Sequence, residues 1–148
     1  MTSLTIEFTV RPDQGDPSGF DLGDMLWRGS LGEARSAGHV PDQGMMIYLS
    51  VIELMDCLDG LLKGRIRTAA FTGVDTSFGL AFRLTRGGIS VATRSGAVAL
   101  VSPAELSRTI LAAAEELACL HLDSLPSDGV SDDYGAALRK FRLTGNAC

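Results

Sequence analysis

The chain has 148 residues, 45% of them hydrophobic and 21% charged, with a formal net charge of −5. That length is one ordinary domain whose core needs no covalent staples, and that composition excludes a largely disordered chain. The acidic balance argues against nonspecific phosphate-backbone binding, which needs a field of Lys and Arg, and is compatible with a basic partner.

Leu4, Ile6, Phe8 and Val10 alternate with Thr5, Glu7 and Thr9. Period two with one apolar face predicts a half-buried strand. Pro12 and the stretch Asp13 to Gly19 end it as a loop. Phe20 to Arg28 reads as a second strand, with Gly23 suggesting a bulge or turn. Leu31 to Ser36 reads as a short third.

Met45 to Leu62 carries the strongest periodic signal. Met46, Leu49, Ile52, Leu58 and Leu61 are apolar, while Ser50, Glu53, Asp56 and Gly60 form a narrow polar stripe at helical spacing. A helix so apolar must be covered on nearly every side. It is therefore expected to lie against the sheet and against another helix or another subunit. Asp42 is the expected N-cap, and Gly60 and Gly64 loosen the far end.

Four strands follow: Thr68 to Val74, Phe78 to Thr85, Ile89 to Arg94 and Ala97 to Val101. In the second, Phe78, Leu80, Phe82 and Leu84 face one way, and Gly79, Ala81, Arg83 and Thr85 the other. The short gaps are hairpin lengths, so the strands form an antiparallel meander; parallel pairing would need long crossovers. Ser102-Pro103-Ala104-Glu105 then starts a helix, with a capping hydroxyl, a proline at the first position and a box glutamate. Its apolar face is Leu106, Ile110, Ala113, Ala114 and Leu117, and it runs to about Leu120. A loop from Asp123 to Asp133 precedes a short helix marked by Tyr134, Ala137, Leu138 and Phe141. Residues 144–148 are expected to fray. The expected fold is a single α+β domain over residues 1–143. Its mainly antiparallel sheet has about five to seven strands, with two principal helices packed on it and a short C-terminal helix.

Cys57, Cys119 and Cys148 are too few and scattered for a disulfide framework. With no basic N-terminal region before the first strand, no secretory signal is expected, and the longest apolar run, Met45 to Leu49, is far too short for a membrane span. A reducing, cytoplasmic setting follows.

The search for chemistry yields few candidates. His39 lies in a loop, and His121 at a helix end where the macrodipole favours it. No ligand spacing joins them, so neither a metal nor a cofactor is expected. Gly29-Ser30-Leu31-Gly32 is one residue short of a nucleophile elbow. Cys57 sits beside Asp56, whose charge disfavours its thiolate. No phosphate-binding glycine loop is present. Glu53 and Asp56 share one side of a helix and could line a cleft. Asp75, between two strands, reads as an Asx-type turn or as a loop site. Arg83 lies on the polar face of a strand. The candidate binding residues are thus His39, Glu53, Asp56, Asp75 and Arg83, and no residue is assigned a catalytic role.

These features point to a protein-interaction module, an adaptor or an immunity-type inhibitor. It would bind a protein partner or a second copy of itself as a homodimer, with neither nucleic acid nor membrane as its target. The alternative is a small enzyme or ligand-binding protein with a pocket between helix and sheet.

Overall fold

The computed structural model describes residues 4–127 and 129–146. Among them are eight strands in two antiparallel sheets of four, with three α-helices. The α+β class and the order of elements agree with the periodicity. The strands, however, divide into two sheets, and the last helix is long.

In the first sheet, β1 (Thr5–Val10) pairs with β2 (Leu22–Arg28) along its whole length, from Thr5 opposite Arg28 to Val10 opposite Gly23. The other side of β2 is shared by β3 (Glu33–Arg35) and the two-residue β4 (Met45–Met46). Gly23 marks neither bulge nor turn. It lies in unbroken register, and a Cβ there would collide with the Thr9 carbonyl oxygen and the Ile47 side chain.

The second sheet is the expected meander, β5 (Thr68–Thr72), β6 (Gly79–Thr85), β7 (Gly88–Thr93) and β8 (Gly96–Val101), paired in chain order. Val91 faces Ala99 while Ala92 faces Ala97, so Val98 is the extra residue of a bulge. A bulge leaves backbone groups outside the ladder, and here the Val98 carbonyl oxygen accepts from the Leu31 and Gly32 N–H groups at 3.0 and 3.1 Å. The β2–β3 turn is thereby fastened to the edge of the second sheet.

Helix α1 (Ile47–Leu62) is the centre of the molecule. Val51, Leu54 and Leu58 have no exposed surface, and its neighbours include β2, β5, α2 and α3. The cover that its apolar circumference demands is supplied within the chain. Its N-cap is Met46, without a side-chain cap, because that residue belongs to β4 and its N–H bonds to the Val74 carbonyl. Asp42 is engaged elsewhere.

Helix α2 (Pro103–His121) begins as the sequence foresaw: Ser102 Oγ accepts from the Glu105 N–H at 3.0 Å, with Pro103 at the first position. A single 3₁₀ turn, Leu122–Ser124, follows, and α3 runs Val130–Asn146. The loop is therefore shorter and the last helix longer than the apolar pattern suggested. Thr144 is 1% exposed and donates to Asp59 Oδ1 at 2.6 Å, so residues 144–146 continue the helix rather than fray. Ala147 and Cys148 lie outside the described residues.

Aromatic contacts tie the layers. Trp27 of β2 meets Phe82 of β6 edge to face at 5.8 Å, and Tyr48 of α1 meets Tyr134 of α3 at 6.1 Å. The Tyr134 hydroxyl donates to the Ala114 carbonyl of α2 at 2.7 Å. The fully buried Trp27 Nε1 has no hydrogen-bond partner among the described residues. Such an orphan donor costs about 1–3 kcal/mol, which the packing of both sheets on that ring must offset. No described helix is long and apolar enough to cross a membrane.

Candidate functional site: a groove between the sheets

An open groove of about 740 Å³ lies between β3 with its following loop and one end of the second sheet. One wall is Glu33, Ala34 and Arg35, continuing through Ala37, Gly38 and His39 to Gln43; the other includes residues 77–81 and 92–95. Phe71, Phe78 and Leu80 also border it, each at most 4% exposed.

The first wall is pinned at both ends. Arg11 follows β1 and forks between two carboxylates: Nε and Nη2 donate to Asp24 at 2.9 and 3.0 Å, and Nη1 and Nη2 donate to Asp42 at 2.6 and 2.7 Å. Gly44 makes room, since a Cβ there would stand 2.5 Å from the guanidinium carbon. The Ser36 hydroxyl donates to Asp24 Oδ1 at 2.6 Å and accepts from the Met25 N–H at 3.0 Å. Thr76 Oγ1 donates to the Gln43 carbonyl at 2.7 Å. The loop is thus held at Ser36 and at Asp42–Gln43, and Val40 between them is fully exposed. The guanidinium's hydrogen bonds hold both carboxylates below the usual range, while the carboxylates raise Arg11 further.

His39 Nε2 lies 2.7 Å from the Arg35 carbonyl oxygen, which can only accept, so Nε2 is the donor of this bond. The ring bonds backbone rather than a carboxylate, so no acid orients it as a base. Its contact rigidifies the wall.

The second wall belongs to a face of unusually small side chains. Ala70, Ala81, Ala92 and Ala97 lie in one row across all four strands. Three of the four are exposed, and Ala92 is half-buried. Leu80 and Phe82 of β6, with Phe78 just before it, point to the opposite, buried face.

Of the five residues singled out from the sequence, only His39 lines this groove. Arg83 is two positions along β6 from Ala81 and shares its face. Asp75 is in the β5–β6 connection with φ 62°. The turn is closed by Thr76 Oγ1, which accepts from the Phe78 N–H at 3.1 Å. Glu53 and Asp56 are exposed on α1; Asp56 lies 3.9 Å from Lys140 Nζ and helps to line a small crevice between α1 and α3. The structure does not bring them to His39.

The periodicity did not single out Glu33, Arg35 and Arg94 on the rim. Glu33 is engaged by Arg28 and Arg35 at 3.0 and 3.3 Å. The signal that could have found the groove is the small residues Gly79, Ala81 and Ala92, neighbours on one face of β6 and β7.

Cys57 is half-buried, and its Sγ donates to the Ala70 carbonyl at 3.3 Å. Its thiol is pushed up first by burial and then by Glu53, not by Asp56. Cys119 is exposed on α2 rather than packed as apolar filler. No group of three or more His, Cys, Asp or Glu among the described residues gathers in a way that could hold a metal ion. No family model, curated protein or solved structure matches the chain.

Proposed function

We propose that the protein is a protein-interaction module, of the adaptor or inhibitor kind, that seats a chain segment of a partner in the groove between its sheets. The observation that carries this is the groove itself, walled by Glu33, Ala34, Arg35 and His39 on one side and by residues 77–81 and 92–95 on the other. An extended segment fits such a channel, placing alternate side chains toward groove and solvent. The titratable side chains are dispersed rather than convergent, which also supports recognition over reaction. Self-association through α1 loses its motive, because that helix is covered by its own chain. We place the module in the cytoplasm, since Cys57 and Cys119 carry free thiols.

A second reading, a small-molecule binder or small enzyme, draws on the groove's volume, which falls within the range of ligand pockets. Backbone amide NMR separates the two. Pools of short extended peptides should shift the resonances of residues 33–39 and 77–81, and Ala92→Trp, which fills the groove, should abolish the response. A response to small metabolites and not to peptides would favour the second reading. Light scattering of a concentrated solution adds the oligomeric state.

A further inference from the structure

Charge is segregated along this chain in a way that its net value hides. From Lys63 to Val101 stand six cations, Lys63, Arg65, Arg67, Arg83, Arg86 and Arg94, against the single carboxylate Asp75, a balance of +5. The remaining residues hold seven cations and seventeen carboxylates, a balance of −10. The basic segment is the second sheet with its leading loop. Among the described residues its five arginines form no ion pair, and all five are exposed. Arg94 stands on the groove rim with Arg35, and Arg83 lies on the face that continues from it.

Backbone groups add a second independent feature. The Gly29 N–H bonds the Gly32 carbonyl, and the Ser36 N–H bonds the Met25 carbonyl. In an antiparallel ladder these pairs make Trp27 and Ala34 the intervening hydrogen-bonded pair. Glu33 and Arg35 therefore turn their N–H and C=O groups away from β2. The Arg35 carbonyl is taken by His39. The Glu33 N–H and C=O and the Arg35 N–H have no backbone partner among the described residues. Three consecutive residues of β3 line the groove, which means that the groove meets the strand at its edge.

We propose that the groove receives an extended, acidic polypeptide segment of another protein, which adds to the edge of β3 and sets its carboxylates against Arg35, Arg94 and Arg83. This rests on the binding-module reading and goes further by naming the partner's charge and the mode of its capture. Strand addition supplies sequence-independent hydrogen bonds at Glu33 and Arg35. The cations select the segment and speed its arrival. A nucleic-acid strand is the poorer fit. It needs exposed rings for its bases, whereas Phe71 and Phe78 are buried.

The test is a displayed random library of peptides, roughly twelve residues long to span a strand, selected on the full chain and counter-selected on an Arg35→Glu, Arg94→Glu double variant. The expected result is enrichment of Asp and Glu over the input library. A selected peptide should slow amide exchange at Glu33–Arg35. It should also bind the double variant at least about tenfold more weakly and the double Arg→Gln variant with an intermediate loss. Melting curves of both variants near wild type show that the fold is kept. Peptides selected without acidic bias that still protect β3 overturn the charge assignment and leave the binding-module reading standing. A library that yields no binder overturns both. An oligothymidylate bound more tightly than the selected peptide, or sedimentation showing a second copy on this face, overturns the proposed occupant.

Discussion

Arg11 touches nothing in the groove, yet its guanidinium joins β2 to the far end of the wall through Asp24 and Asp42. Both carboxylates are depressed in the folded protein, first by their hydrogen bonds to Arg11. A depressed carboxylate contributes stability that is full above its unfolded pKa of about 3.9 and is lost as pH falls through the folded value. Melting temperature should therefore fall more steeply below about pH 4 in wild type than in Arg11→Gln, with the two profiles converging in acid. Parallel profiles would mean that the fork adds no stability. A second residue-level test concerns Gly32, where a Cβ would strike the Ala97 carbonyl oxygen. Gly32→Ala should cost about 1–3 kcal/mol in urea unfolding, as overpacking does. A loss under about 0.5 kcal/mol, the scale of an ordinary surface change, would show that the two sheets can part there freely.

Among the elements, the helix starts divide into those written locally and those imposed from afar. Ser102 caps α2 through its own side chain, and Ser102→Ala should cost about 1 kcal/mol, read from the urea midpoint. Helix α1 has no such cap, because the β4 ladder and the Val74 carbonyl fix where it begins. This is why Asp42 misled: a capping residue type near a helix start is a local signal, and a long-range ion pair outweighed it. The meander was legible for the opposite reason, since Phe78, Leu80 and Phe82 alternate without interruption. Helix α3 was legible only in its middle, where Tyr134 to Phe141 repeat at helical spacing. Its C-terminal end is secured by the hydrogen bond from Thr144 to Asp59, which no period reveals. Tyr134→Phe should cost about 0.5–1.5 kcal/mol by losing the bond to Ala114, measured in the same denaturant series. The groove was the least legible feature. Its walls come from two sheets, and a pattern within one strand does not say which strand lies opposite.

At the level of the whole molecule, net charge described the surface poorly. A chain of −5 carries a +5 segment, and where those cations gather they attract anions whatever the net charge. Wild-type protein should be retained on a sulfonate resin at pH 7 in low salt, despite its net charge. It should be released as salt brings the Debye length down to about 10 Å. Arg83→Ser with Arg94→Ser should pass through unretained, with an unchanged melting curve. Flow-through of the wild type would show that the basic residues do not act as one face.

The carbonyl freed by the bulge at Val98 is a hinge pin of this arrangement, for it holds the turn before β3 against the meander. Removing that one residue would restore a regular ladder and withdraw the pin, so the channel's width would change without any alteration to a residue that lines it. Selection for a thicker or thinner guest could therefore act on a single insertion or deletion in an edge strand, far from the side chains that greet the guest.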